Sequence, residues 1–254
     1  MKILAIGDVV SERGVAFLEK RLRAIKKSEG IDFTVVNGEN AASVGLTRND
    51  AEDILAAGAD VITLGNHAFR RREVFDFLDD SPYILRPANF ASQTPGRGVG
   101  VYEAAGRRIR VINLIGRCNM EFGPDNPFTL ADKILKDEVD ITLVDFHCEA
   151  TSEKLAMAYH LDGRVTALWG THTHVQTADE EVFPGGMGYI TDLGMTGPVR
   201  SVIGIEPQLS VDRFLGNPPA PYKAAKGQMK LEGVIFEVGG DGRCTGVRRL
   251  RILD

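Results

Sequence analysis

In this 254-residue chain seven residues able to offer oxygen or imidazole nitrogen to a cation stand out, because each lies where an apolar run gives out. The run at 2–6 ends in Gly7-Asp8, the run at 33–36 in Asn37-Gly38-Glu39-Asn40, and the run at 61–64 in Gly65-Asn66-His67. Farther on, 141–146 leads into His147, and 165–169 into Gly170-Thr171-His172-Thr173-His174. The donors are therefore Asp8, Glu39, Asn40, Asn66, His147, His172 and His174. A set without thiolate suits iron, manganese or zinc, iron being the first expectation. Seven donors exceed the needs of one tetrahedral ion, so two ions sharing a carboxylate is the natural arrangement. Glu39 is the expected bridge, because its two oxygens can be divided between ions. His172 and His174, two apart, would share one face of an extended chain. Two divalent ions against Asp8 and Glu39 leave two positive charges, which a hydroxide and one phosphodiester anion would balance.

Such donors converge only if the runs are strands of one framework. Between them lie amphipathic stretches at 15–27, 48–57, 73–78 and 152–159 that read as helices, with Thr47 and Gly58 placed to cap the second. Strands alternating with helices predict a sheet covered by helices, with ligands outside the carboxyl ends of its strands. The later chain reads differently. Runs at 98–104 and 108–115 flank Ala105-Gly106-Arg107, and runs at 229–238 and 244–253 flank Gly239-Gly240-Asp241-Gly242, two hairpin signals. Both patterns together predict an α/β (α+β) fold, a four-layer αββα sandwich of two mixed sheets flanked by helices. No linker or repeat interrupts residues 1–254, which read as a single domain.

Composition narrows the functional classes. The chain is 43% hydrophobic and 26% charged, as expected of a globular domain. A net charge of −5 argues against a duplex nucleic-acid partner, which calls for a basic face. The three cysteines form no CxxC pair, so they read as reduced thiols. The first ten residues lack a signal-peptide pattern and no apolar run could span a bilayer, so a cytoplasmic location without membrane partners is expected. The Gly7–Ser11 turn lacks the GxGxxG loop of a Rossmann nucleotide binder. A small phosphodiester or nucleotide is the partner that fits, and a homo-oligomer is left open.

The order GD, GEN, GNH, DFHCEATSEK, GTHTH resembles the calcineurin-like metallophosphoesterase superfamily. More closely it resembles that superfamily's bacterial 2′,3′-cyclic-nucleotide 2′-phosphodiesterase branch, up to about Gly204 and including YITDLGMTGP at 189–198. The resemblance implies one ion held by Asp8, Glu39, Asn40 and His174. A second would be held by Glu39, Asn66, His147 and His172, with His67 as general acid. The superfamily's first motif is Asp-x-His, whereas Val10 stands at its third position here and cannot ligate; Asn40 would fill that vacancy. Phe69 stands where the branch carries Trp.

The implied reaction is attack on phosphorus by metal-bound hydroxide, with His67 protonating the leaving oxygen. A 2′,3′-cyclic nucleotide would yield the 3′-nucleotide. A phosphomonoesterase or nucleotidase using the same donors is the alternative, as is a regulatory protein that keeps the metals but binds RNA or a partner. Taken singly, the blocks have duller readings: Asp8 as a cap, the asparagines as turn residues, the histidines as core. His160, at a helix end, is read as structural, and Arg70-Arg71-Arg72 as a solvated charge run or a phosphate grip. Glu149, Thr151 and Asp192 are expected to support the ligand histidines.

Overall fold

A computed structural model of the chain describes residues 1–121 and 123–254. β1 (Lys2–Ile6), β2 (Asp8–Val9) and α1 (Ser11–Glu29) are followed by β3 (Phe33–Asn37), α2 (Arg48–Ala57), β4 (Val61–Thr63), α3 (Val74–Asp80) and β5 (Ile84–Leu85). The hairpin β6 (Val99–Ala104) and β7 (Arg107–Ile115) leads to α4 (Pro127–Ile134), β8 (Ile141–His147), α5 (Thr151–Leu161) and β9 (Ala167–Thr171). Short strands β10 (Glu181–Val182), β11 (Gly188–Ile190) and β12 (Met195–Pro198) precede α6 (Pro207–Phe214). The long hairpin β13 (Met229–Val238) and β14 (Cys244–Leu253) closes the chain.

The strands form two mixed sheets. One runs β2-β12-β13-β1-β3-β4-β5, with β14 also on β13; the other runs β10-β11-β9-β8-β7-β6. In the first, β1, β3, β4 and β5 are parallel and β13 is antiparallel to β1. Among the described residues no helix is long and apolar enough to cross a membrane.

Period-two alternation divides the strand side chains between three cores. Leu4, Ile6, Val36 and Ile62 face outward onto Leu18 and Leu22 of α1, Ile54 of α2 and Leu78 of α3. Ile3, Ala5, Phe33, Val35 and Val61 face the other way, against Ile109, Val111, Ile141, Leu143, Ala167 and Trp169 of the second sheet. The far face of that sheet packs Val144, Phe146 and Leu168 on Met157, Ala158 and Leu161 of α5. The result is a four-layer αββα sandwich.

Carried one step further, the same alternation explains where chemistry begins. Near the carboxyl ends of five strands the inward file turns polar, at Asn37, Thr63, Asn113, Asp145 and Thr171, all fully buried. These groups bond across the gap between sheets. Asn113 Nδ2 donates to the carbonyls of Leu64 and Leu85 at 2.6 and 2.7 Å, and Thr63 Oγ1 donates to Asp145 at 2.5 Å. A polar floor thus closes the apolar core directly beneath the strand ends.

Element boundaries depart from the sequence expectations in instructive places. α1 begins at Ser11, four residues earlier than its amphipathic pattern. The first turn is positioned by the chain on either side: Val10 donates to Thr196 O, and Ser11 to Asn40 O, at 2.9 Å each. α2 has the expected limits, with Thr47 and Asp50 in a reciprocal capping box and Gly58 in the left-handed region. The first hairpin turns on two residues, Ala105 and Gly106, both at positive φ, and Arg107 already pairs with Ala104.

Candidate metal centre

The strand ends bring all seven donors together. Asp8 follows β1, Glu39 and Asn40 follow β3, and Asn66 follows β4; His147 ends β8, while His172 and His174 follow β9. Their contacts fall into two groups that meet at Glu39. In one, His147 Nε2 lies 3.0 Å from Asn66 Oδ1, 3.1 Å from Glu39 Oε1 and 3.1 Å from His172 Nδ1. In the other, His174 Nε2 lies 3.6 Å from Asp8 Oδ1 and 3.2 Å from the Asn40 amide, which is itself 3.3 Å from Glu39 Oε1.

The donor set fits cations better than it fits itself. One proton on His147 Nε2 could satisfy only one of the three lone-pair atoms around it. Asp8 Oδ1 is buried without any hydrogen-bond partner, although an orphaned buried carboxylate oxygen is costly. Ligand atoms of Glu39, His147 and His172 all lie within 4.8 Å of one another. Gly65 makes the approach possible: a Cβ there would stand 2.2 Å from the His147 ring and 2.4 Å from Glu39 Oε2.

Charge is arranged to match. Burial opposes ionisation of Asp8 and Glu39, yet the imidazoles of His174 and His147 hold both carboxyls well below their ordinary values. Burial likewise disfavours a charged His147, but Glu39 overrides it and lifts the imidazole to about 9. His174 rises for the same reason, with Asp8 as its partner. His172 goes the other way, to about 4, because burial and the neighbouring His147 both resist a second cation.

Each imidazole is oriented by its other nitrogen, as ligand histidines are. His147 Nδ1 meets Thr171 Oγ1 at 2.9 Å, His174 Nδ1 meets the carbonyl of Ile203 at 2.9 Å, and His172 Nε2 meets Glu149 at 3.1 Å. Glu149 supports a histidine as expected. Asp192 instead pairs with Lys154 and accepts the Thr173 N–H, at 2.8 and 3.2 Å. Thr151 serves as the first residue of α5. Sequence reading missed Thr171, Asp145 and the Ile203 carbonyl. The first two were detectable by continuing the inward file of β8 and β9; a carbonyl carries no sequence mark. The extended-chain argument for His172 and His174 fails, since both have positive φ, 99° and 64°.

His67 lies at the edge of the cluster, its backbone N–H donating to Glu39 Oε2 at 3.0 Å and its Nδ1 2.9 Å from Asn40 Oδ1. Burial pushes its imidazole below the ordinary value, against the pull of the Glu39 carboxylate. Phe69 turns away into the core, against Phe75 and Phe90. Arg71 ties the loop after Asn40 in place by donating to the carbonyls of Ala42 and Val44, while Arg70 pairs with Glu121. His160 is bonded to Asp132 at 3.0 Å, well away from the cluster.

The chain that carries these donors at the ends of β1, β3, β4, β8 and β9 matches the description "YmdB-like protein" over residues 4–250. It belongs to the YmdB-like family. A Bacillus subtilis relative, a 2′,3′-cyclic-nucleotide 2′-phosphodiesterase, is 44% identical across 94% of this chain and 91% of its own length. The crystal structure of a novel phosphatase from Mycoplasma pneumoniae superposes at a TM-score of 0.94 with 33% identity, covering 100% of this chain and 93% of that one. A 5′-nucleotidase precursor of Thermus thermophilus shares the fold alone, with a TM-score of 0.62 and 12% identity over 100% of this chain and 54% of its own. The YmdB-like chain is thus a phosphoric ester hydrolase with the metallophosphoesterase architecture.

Proposed function

We propose that this YmdB-like chain is a dinuclear phosphodiesterase acting on small phosphodiesters, 2′,3′-cyclic nucleotides above all, and releasing 3′-nucleotides. The observation that supports it most is the division of seven donors, five of them buried, into two groups meeting at one carboxylate. Asp8, Glu39, Asn40 and His174 would hold one ion; Glu39, Asn66, His147 and His172 would hold the other. The ions are divalent or iron-type, iron first, with manganese or zinc as alternatives. When bound they supply Lewis acidity, activating water near neutral pH and offsetting the charge of the phosphate.

The protein's own residues do the rest. Asn40 carries its amide nitrogen towards His174 and its oxygen towards His67. To ligate through oxygen the amide turns over, and its Nδ2–H then donates to His67 Nδ1. That leaves the N–H of His67 on Nε2, where it can hydrogen-bond the departing oxygen as its charge develops. Beside the Asn40 loop a cavity of about 780 Å³, lined in part by Ser43, Arg71 and Tyr222, offers room for a nucleoside. The whole of 1–254 is taken as one cytoplasmic domain.

Metal analysis of the purified protein, joined to a hydrolysis panel, tests this. The panel comprises 2′,3′-cyclic and 3′,5′-cyclic nucleotides, a generic diester and a monoester. The expected result is two ions per chain and turnover of the 2′,3′-cyclic substrate to the 3′-monophosphate. Two bound ions with no hydrolysis of any compound would overturn it and favour a regulatory role.

A further inference from the structure

Of the three histidines in the cluster, His147 alone is backed by a chain of buried groups that ends on a carboxylate. Its Nδ1 lies 2.9 Å from Thr171 Oγ1, and Thr171 Oγ1 donates to Asp145 Oδ1 at 2.7 Å. Asp145 Oδ2 accepts from Thr63 Oγ1 at 2.5 Å, and Asn37 Nδ2 approaches Thr171 Oγ1 at 3.5 Å. All five side chains are fully buried. The chain crosses both sheets: Asn37 and Thr63 end β3 and β4, while Asp145, His147 and Thr171 lie on the inward files of β8 and β9.

The direction of each bond is forced. A carboxylate accepts only, so the single hydroxyl proton of Thr171 goes to Asp145. The Thr171 oxygen then faces His147 with a lone pair, and His147 must answer with Nδ1–H. In the neutral ring the lone pair is left on Nε2, the atom that meets Glu39, Asn66 and His172. His174 and His172 have no such device, since one leans on a backbone carbonyl and the other on Glu149, whose side chain is 49% exposed.

We infer that Asp145 and Thr171 are positioning residues for the reaction, a carboxylate–hydroxyl relay that holds His147 in the Nδ1–H tautomer with Nε2 aimed at the cation. Neither touches the reacting atoms; both act through the imidazole. The inference rests on the reading of His147 as a ligand given under Proposed function. Because Thr63 and Asn37 bond to Asp145 and Thr171, the relay also ties the end of the second sheet that carries His147 to the strand ends that lead to Glu39 and Asn66.

Zn²⁺ titration of the purified metal-free protein, followed against a competing chelator, reads the relay without activity. Thr171→Val removes the hydroxyl at nearly constant volume and is expected to weaken Zn²⁺ binding about 10–100-fold, the usual cost of losing such a partner. Thr171→Ser, which keeps the hydroxyl, is expected to restore it, whereas a purely packing role for Thr171 predicts recovery with Val and not with Ser. Wild-type affinity in Thr171→Val, with an ion lost in His147→Ala, overturns the relay but not the ligand assignment. Wild-type affinity and stoichiometry in His147→Ala overturns the ligand assignment, and the relay with it. Should Thr171→Val fail to fold, nitrogen-15 NMR of the Zn²⁺-loaded wild type decides: a proton on His147 Nδ1 is expected, and its absence overturns the inference.

Discussion

Lys154 Nζ lies 2.8 Å from Asp192 Oδ2, and both side chains are buried behind the His172–His174 loop. Lys154 also donates to the Thr171 carbonyl at 3.1 Å, while Asp192 accepts the N–H groups of Thr173 and Gly194 at 3.2 and 3.0 Å. The pair therefore clasps a loop whose two histidines both occupy the left-handed region, where non-glycine residues are strained. Lys154→Met would leave Asp192 as a buried charge without a counter-charge, which costs about 3–5 kcal/mol. Burial already raises the Asp192 carboxyl, so in acid it takes up a proton and the variant's deficit shrinks. Thermal unfolding followed across pH should show the loss growing from acid to neutral; a flat deficit would mean that the charge is not its source.

His67→Gln should separate metal binding from turnover. The substitution removes a titratable donor that contacts Asn40 and Glu39 but belongs to neither donor group. Two ions should remain, while kcat on a 2′,3′-cyclic nucleotide falls about 10²–10⁴-fold, the range for a positioned acid. Loss of an ion in this variant would reassign His67 from proton donor to ligand support.

Metal uptake should release protons. In the metal-free protein His147, at about 9, carries a proton at pH 7 that a cation must displace. Calorimetric titration in two buffers of different ionisation enthalpy should show that release at pH 7, and its disappearance well above pH 9. Stability of the metal-free protein follows the same groups with definite signs. The raised His147 contributes in full below its unfolded value of 6.5, and that contribution is lost as pH rises through about 9. The depressed Asp8 and Glu39 contribute above their unfolded values, and lose that contribution in acid. Unfolding midpoints should therefore peak between those limits, and bound metal should flatten the alkaline fall.

How much of this was legible beforehand depends on whether a residue's role is fixed locally. α2 has the limits its Thr47 cap and Gly58 stop announce, because capping is settled within one turn. The convergence of Asp8, Glu39, Asn66 and His147 follows from strand ends lying in one crevice, a rule of open sheets. The left-handed backbone at His172 and His174 is imposed instead by Lys154, Asp192 and the Ile203 carbonyl, none of them adjacent in sequence. The short β10, β11 and β12 and the helix α6 carry little apolar periodicity of their own; β11 and β12 pair with β9 and with β13 of the long hairpin, and β10 with β11.

Gly65→Ala tests the packing at the heart of the cluster. A methyl group at 2.2 Å from the His147 ring cannot be accommodated without moving that ring or the Gly65 backbone. Overpacking of this kind costs about 1–3 kcal/mol. Here part of that cost falls on the donors, because the displaced atoms are His147 Nε2 and Glu39 Oε2. The variant should fold with a lowered melting temperature and bind fewer ions than the wild type. Full metal content would show that the donors tolerate more spread than their contacts suggest.

Ala105→Gly makes the opposite prediction, a gain far from the chemistry. Ala105 sits at φ 50° in the two-residue turn between β6 and β7, where its Cβ crowds the backbone and glycine's absence of one does not. An L-residue pays about 1–2 kcal/mol for that region. Part of the relief is returned as the extra backbone entropy that glycine must lose on folding. The net expectation is a gain of up to about 1 kcal/mol, seen as a raised melting temperature with unchanged metal content and turnover. A lowered melting temperature would mean that the alanine methyl makes packing contacts worth more than the strain it causes.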